Sequence, residues 1–192
     1  MRLTPVAHFA LGAALAGCTA APDDGLVCAP LAAGRRHTLV DFAHFAIASP
    51  EEDPWAAYRP ADIACPASAR GPETFGELPT YTIVTTACPY TTVVQPTLED
   101  SCRGDTLFIW VWRTALTGPE GATAHLGIQV GDEPIWELAV PIPADSDLIV
   151  ENIPLTRDHP AGTPVYLHVR NHGSNSYELL GLARCNGQCN AE

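Results

Sequence analysis

Apolar and polar positions alternate through much of the chain beyond residue 80. Ala122, Ala124, Leu126, Ile128 and Val130 alternate with Thr123, His125, Gly127 and Gln129, the period of a strand with one buried face and one wet face. The same rhythm predicts strands over residues 80–87, 90–94, 105–116, 122–130, 134–142, 147–153, 163–170 and 177–183, separated by turn sequences such as "TGPEG", "GDE" and "NHGSN". If Gly131, Asp132 and Glu133 form a three-residue hairpin loop, Leu126 faces Leu138 and Ile128 faces Trp136. A two-residue loop would set Leu126 against Glu137, which burial disfavours. In the 163–170 strand, Val165, Leu167 and Val169 form the buried set, so His168 and Arg170 turn outward. Many short strands of this kind predict a mainly β fold, a β-sandwich of jelly-roll type.

The preceding region reads differently. Thr38 and Asp41 have capping-box spacing, Leu39, Phe42 and Phe45 or Ala46 recur with helical period, and Ser49, Pro50 and Glu52 form a second start signal. One or two short helices are therefore expected between residues 38 and 60, with Pro54 and Pro60 keeping the second piece short; a strand across "HTLVDFAHF" is the alternative. Residues 61–79 read as a loop rich in Pro, Ala and Gly. Residues 28–79 are expected to pack with the sandwich of residues 80–192 as one domain.

Charge narrows the partners. The 192 residues carry a formal charge of -12, and all ten basic residues are arginine. Nucleic acid and anionic membrane surfaces are repelled by such a surface over most of its area.

The first 27 residues add an address. Arg2 precedes an apolar run over residues 6–15 and then small residues, the pattern of a secretory signal. Leu15, Ala16, Gly17 and Cys18 resemble the lipobox of bacterial lipoproteins. The resemblance implies removal of residues 1–17, acylation of Cys18, residues 18–27 as lipidated terminus and tether, and a lipid bilayer as partner. It also implies export, with Thr19 directing the protein to the outer membrane if the host has one. The alternative is a plain signal peptide cut after Ala20. Two or more acyl chains give stable anchoring where one does not. Lipidation of Cys18 would leave six of the seven cysteines, Cys28, Cys65, Cys88, Cys102, Cys185 and Cys189, an even number suited to three disulfides outside the cytoplasm. Fifteen pairings are open, a Cys88–Cys102 link among them. Their spacing does not read as a zinc site.

No nucleophile elbow, metalloprotease helix, phosphate loop or dinucleotide fingerprint occurs, so no catalytic residue and no cofactor are assigned. Glu51 and Glu52 read as a helix start, and Asp145 and Asp147 as a solvated turn. The outward positions His125, Glu137, Tyr166, His168 and Arg170, joined by Asn171, His172 and Asn175 of the last hairpin, form the candidate binding set for a neutral or acidic glycan or a surface partner. Trp110 and Trp112, two apart and hence on one face, are a stacking platform or a core pair, and the preference of aromatics for burial favours the core. A second reading takes His125, His168 and His172 as copper or zinc ligands in an exported metal-binding or hydrolytic protein.

The succession "GDTLFIWVWRTAL", "ATAHLGIQV", "DEPIWELAVPIP" and "TPVYLHVRNHGSNSYELLGL" resembles the second half of galactose-binding-like jelly rolls, the architecture of many carbohydrate-binding modules. "NHGSNSYELL" is also similar to exported bacterial proteins without an assigned activity. The first resemblance implies a sandwich and, as an expectation, sugar binding by a non-catalytic domain.

Overall fold

A computed structural model describes residue 26, residues 31–171, residues 173–187 and residue 189. Eleven strands form two antiparallel sheets: β1 (His37–Thr38), β2 (Ala46–Ile47), β3 (Arg70–Phe75), β4 (Leu78–Val84), β5 (Tyr90–Pro96), β6 (Thr106–Arg113), β7 (Thr123–Val130), β8 (Glu133–Pro141), β9 (Asp147–Pro154), β10 (Pro164–Arg170) and β11 (Ser176–Cys185). The first sheet runs β3-β4-β11-β6-β9, with β1 also on β11, and the second runs β2-β5-β10-β7-β8. Strands β4 to β11 thus divide between the sheets as β4-β11-β6-β9 against β5-β10-β7-β8, the double Greek-key order of a jelly roll. The sandwich expected from the strand rhythm is the fold.

Inward residues of both sheets make one core. Leu107, Ile109 and Val111 of β6 meet Leu126, Ile128 and Val130 of β7, with Val165, Leu167 and Val169 of β10, all 3% exposed or less. The N-terminal segment adds Leu39, Val40 and Phe45 to the same cluster.

The β7–β8 pairing has Leu126 opposite Leu138 and Ile128 opposite Trp136, as expected, although Val130 pairs with Glu133 across a two-residue turn. A bulge between Ile128 and Gln129 restores the register. The extra residue keeps the apolar set inward, which a tight turn alone would not.

Two other expectations change. Between residues 38 and 60 the helices are single 3-10 turns, Phe42–His44 and Ala56–Tyr58, with a third at Ala67–Ala69. The Asp41 carboxylate does accept from the Ala43 amide at 3.0 Å, but β2 then pairs with β5 and buries Phe45 and Ala48, so the chain leaves the helix after one turn. Tertiary pairing overrides local propensity here. Residues 61–79 are not all loop: β3 pairs along β4 as the edge of the first sheet, with Pro72 in it, the sheet position where a missing amide is tolerated.

Cys65 is bonded to Cys88 and Cys185 to Cys189. Cys102 is also disulfide-bonded. A Cys88–Cys102 link is thereby excluded, since Cys88 faces Cys65 across a Cα separation of 4.3 Å. Cys18 and Cys28 lie outside the described residues. No described helix is long and apolar enough to cross a membrane.

Candidate functional site

Each sheet turns its second face away from the core, and the two outer faces differ. On the β5-β10-β7-β8 sheet, the outward residues include Tyr90, Thr92, Tyr166, His168, Arg170, His125, Gly127 and Glu137. Residues 53–59 lie across them as a strap. Trp55 sits flat on Gly127, where a Cβ would come within 2.4 Å of the indole. Its ring stacks on His168 at 4.8 Å with 16° between the planes, and its Nε1–H donates to Glu137 Oε1 at 2.9 Å. Only glycine leaves room for that indole.

The strap is fastened by a buried carboxylate. Asp53, 6% exposed, accepts from the Tyr90 hydroxyl at 2.6 Å, the Thr92 hydroxyl at 2.7 Å and the Trp55 amide at 2.9 Å, with Arg59 Nη1 at 3.4 Å. Because the Thr92 hydrogen points to Asp53, its oxygen is left to accept from His168 Nδ1–H at 2.9 Å. That network assigns the tautomer and leaves His168 Nε2 as a lone pair with no partner among the described residues. Burial, reinforced by the neighbouring His125, holds the His168 imidazole down to about 3. It is a neutral structural group at ordinary pH. Burial and the Asp53 carboxylate together push the Tyr90 phenol upward.

The strap decides the fate of the outward set. His168 points away from the core as alternation requires, yet it is fully buried beneath Trp55. His125 lies beside it, ring centroids 5.4 Å apart, with Nε2 3.6 Å from Glu137 Oε2. Arg170 packs its guanidinium over Tyr58 at 4.9 Å, and burial with the Glu52 charge raises the Tyr166 phenol. Asn171 and Asn175 are buried and fasten loops: Asn171 donates to Thr85 Oγ1 at 3.1 Å, and Asn175 Oδ1 accepts from the Thr117 amide at 3.1 Å. His172 lies outside the described residues. Among the described residues no three His, Cys, Asp or Glu side chains are gathered to hold a metal ion. Glu52 accepts from the Ser49 amide at 3.4 Å as a turn-starting acid does, and Asp145 and Asp147 both engage Arg113, through the Asp145 carbonyl and the Asp147 carboxylate.

The outer face of the other sheet is covered at one end and open toward the other: Phe108 is buried with Ala183 and the Cys185–Cys189 disulfide, and Thr80 and Thr82 are buried as well, whereas the Trp112 end is exposed. Trp110 and Trp112, expected as core, point away from it: Ile109 and Val111 take the inward positions, and both tryptophans remain half-buried. Trp112 stands directly opposite Glu178 on one side and Leu148 on the other, and Glu178 is in turn opposite Thr82. Phe75, 46% exposed near the tip of the β3–β4 hairpin, approaches Trp112 to 6.1 Å between ring centroids. Leu148 and Val150 extend the apolar surface at 45% and 40% exposure.

A groove of about 670 Å³ runs beside this platform, lined by Phe108, Trp110, Leu78, Thr80, Glu73 and Leu180 among others. It opens where β11 changes partner, from β4 at residues 176–179 to β1 at residues 183–184, beside an irregularity between Leu179 and Gly181. Two polar atoms on this outer face lack partners among the described residues and are out of solvent contact, Trp110 Nε1 in the groove and Glu178 Oε2 beside Trp112. Burial, with Glu73 nearby, raises the Glu178 carboxyl. Alternation along "FIWVW" signalled a shared aromatic face; which side of the sandwich it takes depends on the neighbours of β6. Glu73, Phe75 and Glu178 carry no such signal, because the pairing of β3, β4, β11 and β6 alone assembles them.

No family model and no curated relative matches the chain. Among solved structures, it is similar to an arabinose-bound GH51 α-L-arabinofuranosidase (TM-score 0.38, 9% identity, 62% of this chain, 23% of that one). It is also similar to the N-terminal cellulose-binding domain of a β-1,4-glucanase C from Cellulomonas fimi (0.41, 12%, 64% and 84%). A third is TmCBM61 in complex with β-1,4-galactotriose (0.38, 10%, 64% and 85%). The chain thus spans less than a quarter of the arabinofuranosidase and most of each binding domain. Similarities this distant carry nothing about a ligand.

Proposed function

We propose that this chain is a non-catalytic glycan-binding sandwich, exported and held at a bilayer by acylated Cys18, that takes sugar on the outer face of the β3-β4-β11-β6-β9 sheet. The observation that carries the reading is the half-buried Trp110–Trp112 pair, set beside an open groove and flanked by Glu73, Thr80, Thr82 and Glu178. Sugars present apolar C–H faces bounded by hydroxyl edges. Aromatic rings accept the faces, and the neighbouring carboxylates accept from the hydroxyls at the edges. A protein partner would bury the patch under a more continuously apolar core, whereas the row of Trp112 continues into Glu178 and Thr82.

The sequence supports the anchor through Arg2, the apolar run and the Leu15-Ala16-Gly17-Cys18 stretch. The test is a glycan array followed by calorimetry on hits, using wild type and Trp112→Ala, with intact mass of the membrane-extracted protein read alongside. Binding to an oligosaccharide, weakened at least tenfold by Trp112→Ala, and a mass carrying acyl chains on Cys18 are expected. Absence of any sugar ligand, or binding indifferent to Trp112, sinks the glycan reading; a water-soluble form beginning at residue 21 sinks the anchor.

A further inference from the structure

The outer face along β6 is not electrically uniform. Trp112 stands opposite Glu178, and Glu73 lies close enough to Glu178 to oppose its ionisation. At the other end, the Arg36 guanidinium lies over Phe108, 5.4 Å from the ring centroid. Residues 108 and 112 are four apart on a strand rising ~3.3 Å per residue, so the two ends are about 13 Å apart. Asp41 also lines the groove, held by its cap to Ala43. The arginine thus serves the Phe108 end, while two carboxylates face the indole end without an arginine between them in the sheet pairing.

We propose that the Trp112 end of this outer face, next to the groove, binds the ammonium group of a 2-amino sugar, so that the glycan recognised carries positively charged, non-acetylated amines. The inference rests on the glycan reading above and names its ligand class. An ammonium over an indole face gains cation–π attraction, and one placed beside Glu178 and Glu73 offsets their mutual repulsion, a relief that no neutral hydroxyl supplies. It also brings N–H donors to the half-buried Glu178 carboxylate. The formal charge of -12 draws such a ligand toward the protein at range. An N-acetylated amine loses both attractions.

The test compares oligomers of equal length made of β-1,4-linked glucosamine, N-acetylglucosamine and glucose, by calorimetry at mildly acidic pH and moderate salt. The expected result is that the glucosamine oligomer binds at least tenfold tighter than the other two. Glu178→Gln should bring the three to near parity, and Trp112→Ala should abolish binding of all. Equal or tighter binding of the acetylated or glucose oligomer through Trp112 overturns the amine assignment and leaves the glycan reading standing. Glucosamine binding that survives Trp112→Ala reflects overall negative charge and overturns it as well. If none of the three, nor any other oligosaccharide, binds, the glycan reading falls and the inference with it. Both variants alter side chains on the outer face, and unchanged thermal unfolding certifies each as folded.

Discussion

The two outer faces start from the same alternation and end in opposite states. On one, Trp55 lies flat on Gly127, stacked on a fully buried His168 and tied to Glu137. On the other, Trp112 remains half-buried beside an exposed Phe75, and the groove next to it holds about 670 Å³ of open space. The difference lies in what the connecting segments supply. Residues 53–59 bring to the first face an indole, a carboxylate and an arginine that satisfy what the sheet offers, whereas the hairpin of β3 and β4 walls the second without roofing it. A tryptophan held by its own chain is a stability element, and one left uncovered on a polar-flanked face is available to a ligand.

The largest expected effect comes from breaking the closed face. Trp55→Ala removes a 4% exposed indole, its stack on His168 and its bond to Glu137, and should destabilise the domain by about 3 to 5 kcal/mol. Gly127→Ala approaches the same defect from below: its Cβ would meet the indole at 2.4 Å and displace it, at a cost of about 1 to 3 kcal/mol. Urea unfolding measures both. Oligosaccharide affinity of the folded fraction should stay at the wild-type value, because the strap lies on the sheet opposite the groove. Stability unchanged by either substitution would show that the strap is not holding that face.

A smaller effect is expected from pH. His168 is neutral when folded, held down to about 3 by burial and by His125, with Asp53 pulling the other way and Arg170 adding to the depression. Its ordinary value is 6.5, so between these limits the unfolded chain binds a proton that the folded chain refuses. The contribution is fully present above pH 6.5 and is lost as pH falls from there toward 3, at about 1.4 kcal/mol per pH unit. His168→Asn keeps a donor for Thr92 and removes the titration. The slope of unfolding free energy between pH 6 and 4 should flatten by about that amount in the variant, whatever its absolute stability. An unchanged slope would mean that His168 takes up its proton in the folded state.

Alternation along single strands made much of this molecule legible. The buried sets of β7 and β10 follow it, and the pairing of Leu126 with Leu138 was readable because the alternative buries Glu137. The bulge that delivers this register was not readable, since inserting one residue leaves the apolar period on either side intact. His168 shows the same boundary. Its outward direction follows from Val165, Leu167 and Val169, but its burial depends on Trp55, more than a hundred residues earlier, in a segment whose local signals read as helix. Trp110 and Trp112 were placed on one face correctly and on the wrong side of the sandwich, because burial preference is a statement about rings in general. Which side of β6 faces the core depends on its neighbours, and it is Leu107, Ile109 and Val111 that they bury.

The sharpest separation of the two faces comes from the smallest expected change in stability. Phe75 is 46% exposed at a hairpin tip, on an edge strand, and its described ring contact is Trp112 at 6.1 Å. Truncation there removes little buried area, so Phe75→Ala should shift unfolding free energy by no more than about 0.5 kcal/mol, the range of ordinary surface substitutions. If Phe75 and Trp112 together form the surface on which a sugar lies, the same change removes part of that surface and should weaken oligosaccharide binding about fivefold to tenfold, ~1 to 1.4 kcal/mol. Calorimetric titration and urea unfolding of the one variant supply both numbers. A loss of stability above 2 kcal/mol would show Phe75 to be a packing residue of the hairpin, and affinity equal to wild type would remove it from the binding surface and leave Trp110 and Trp112 as the platform.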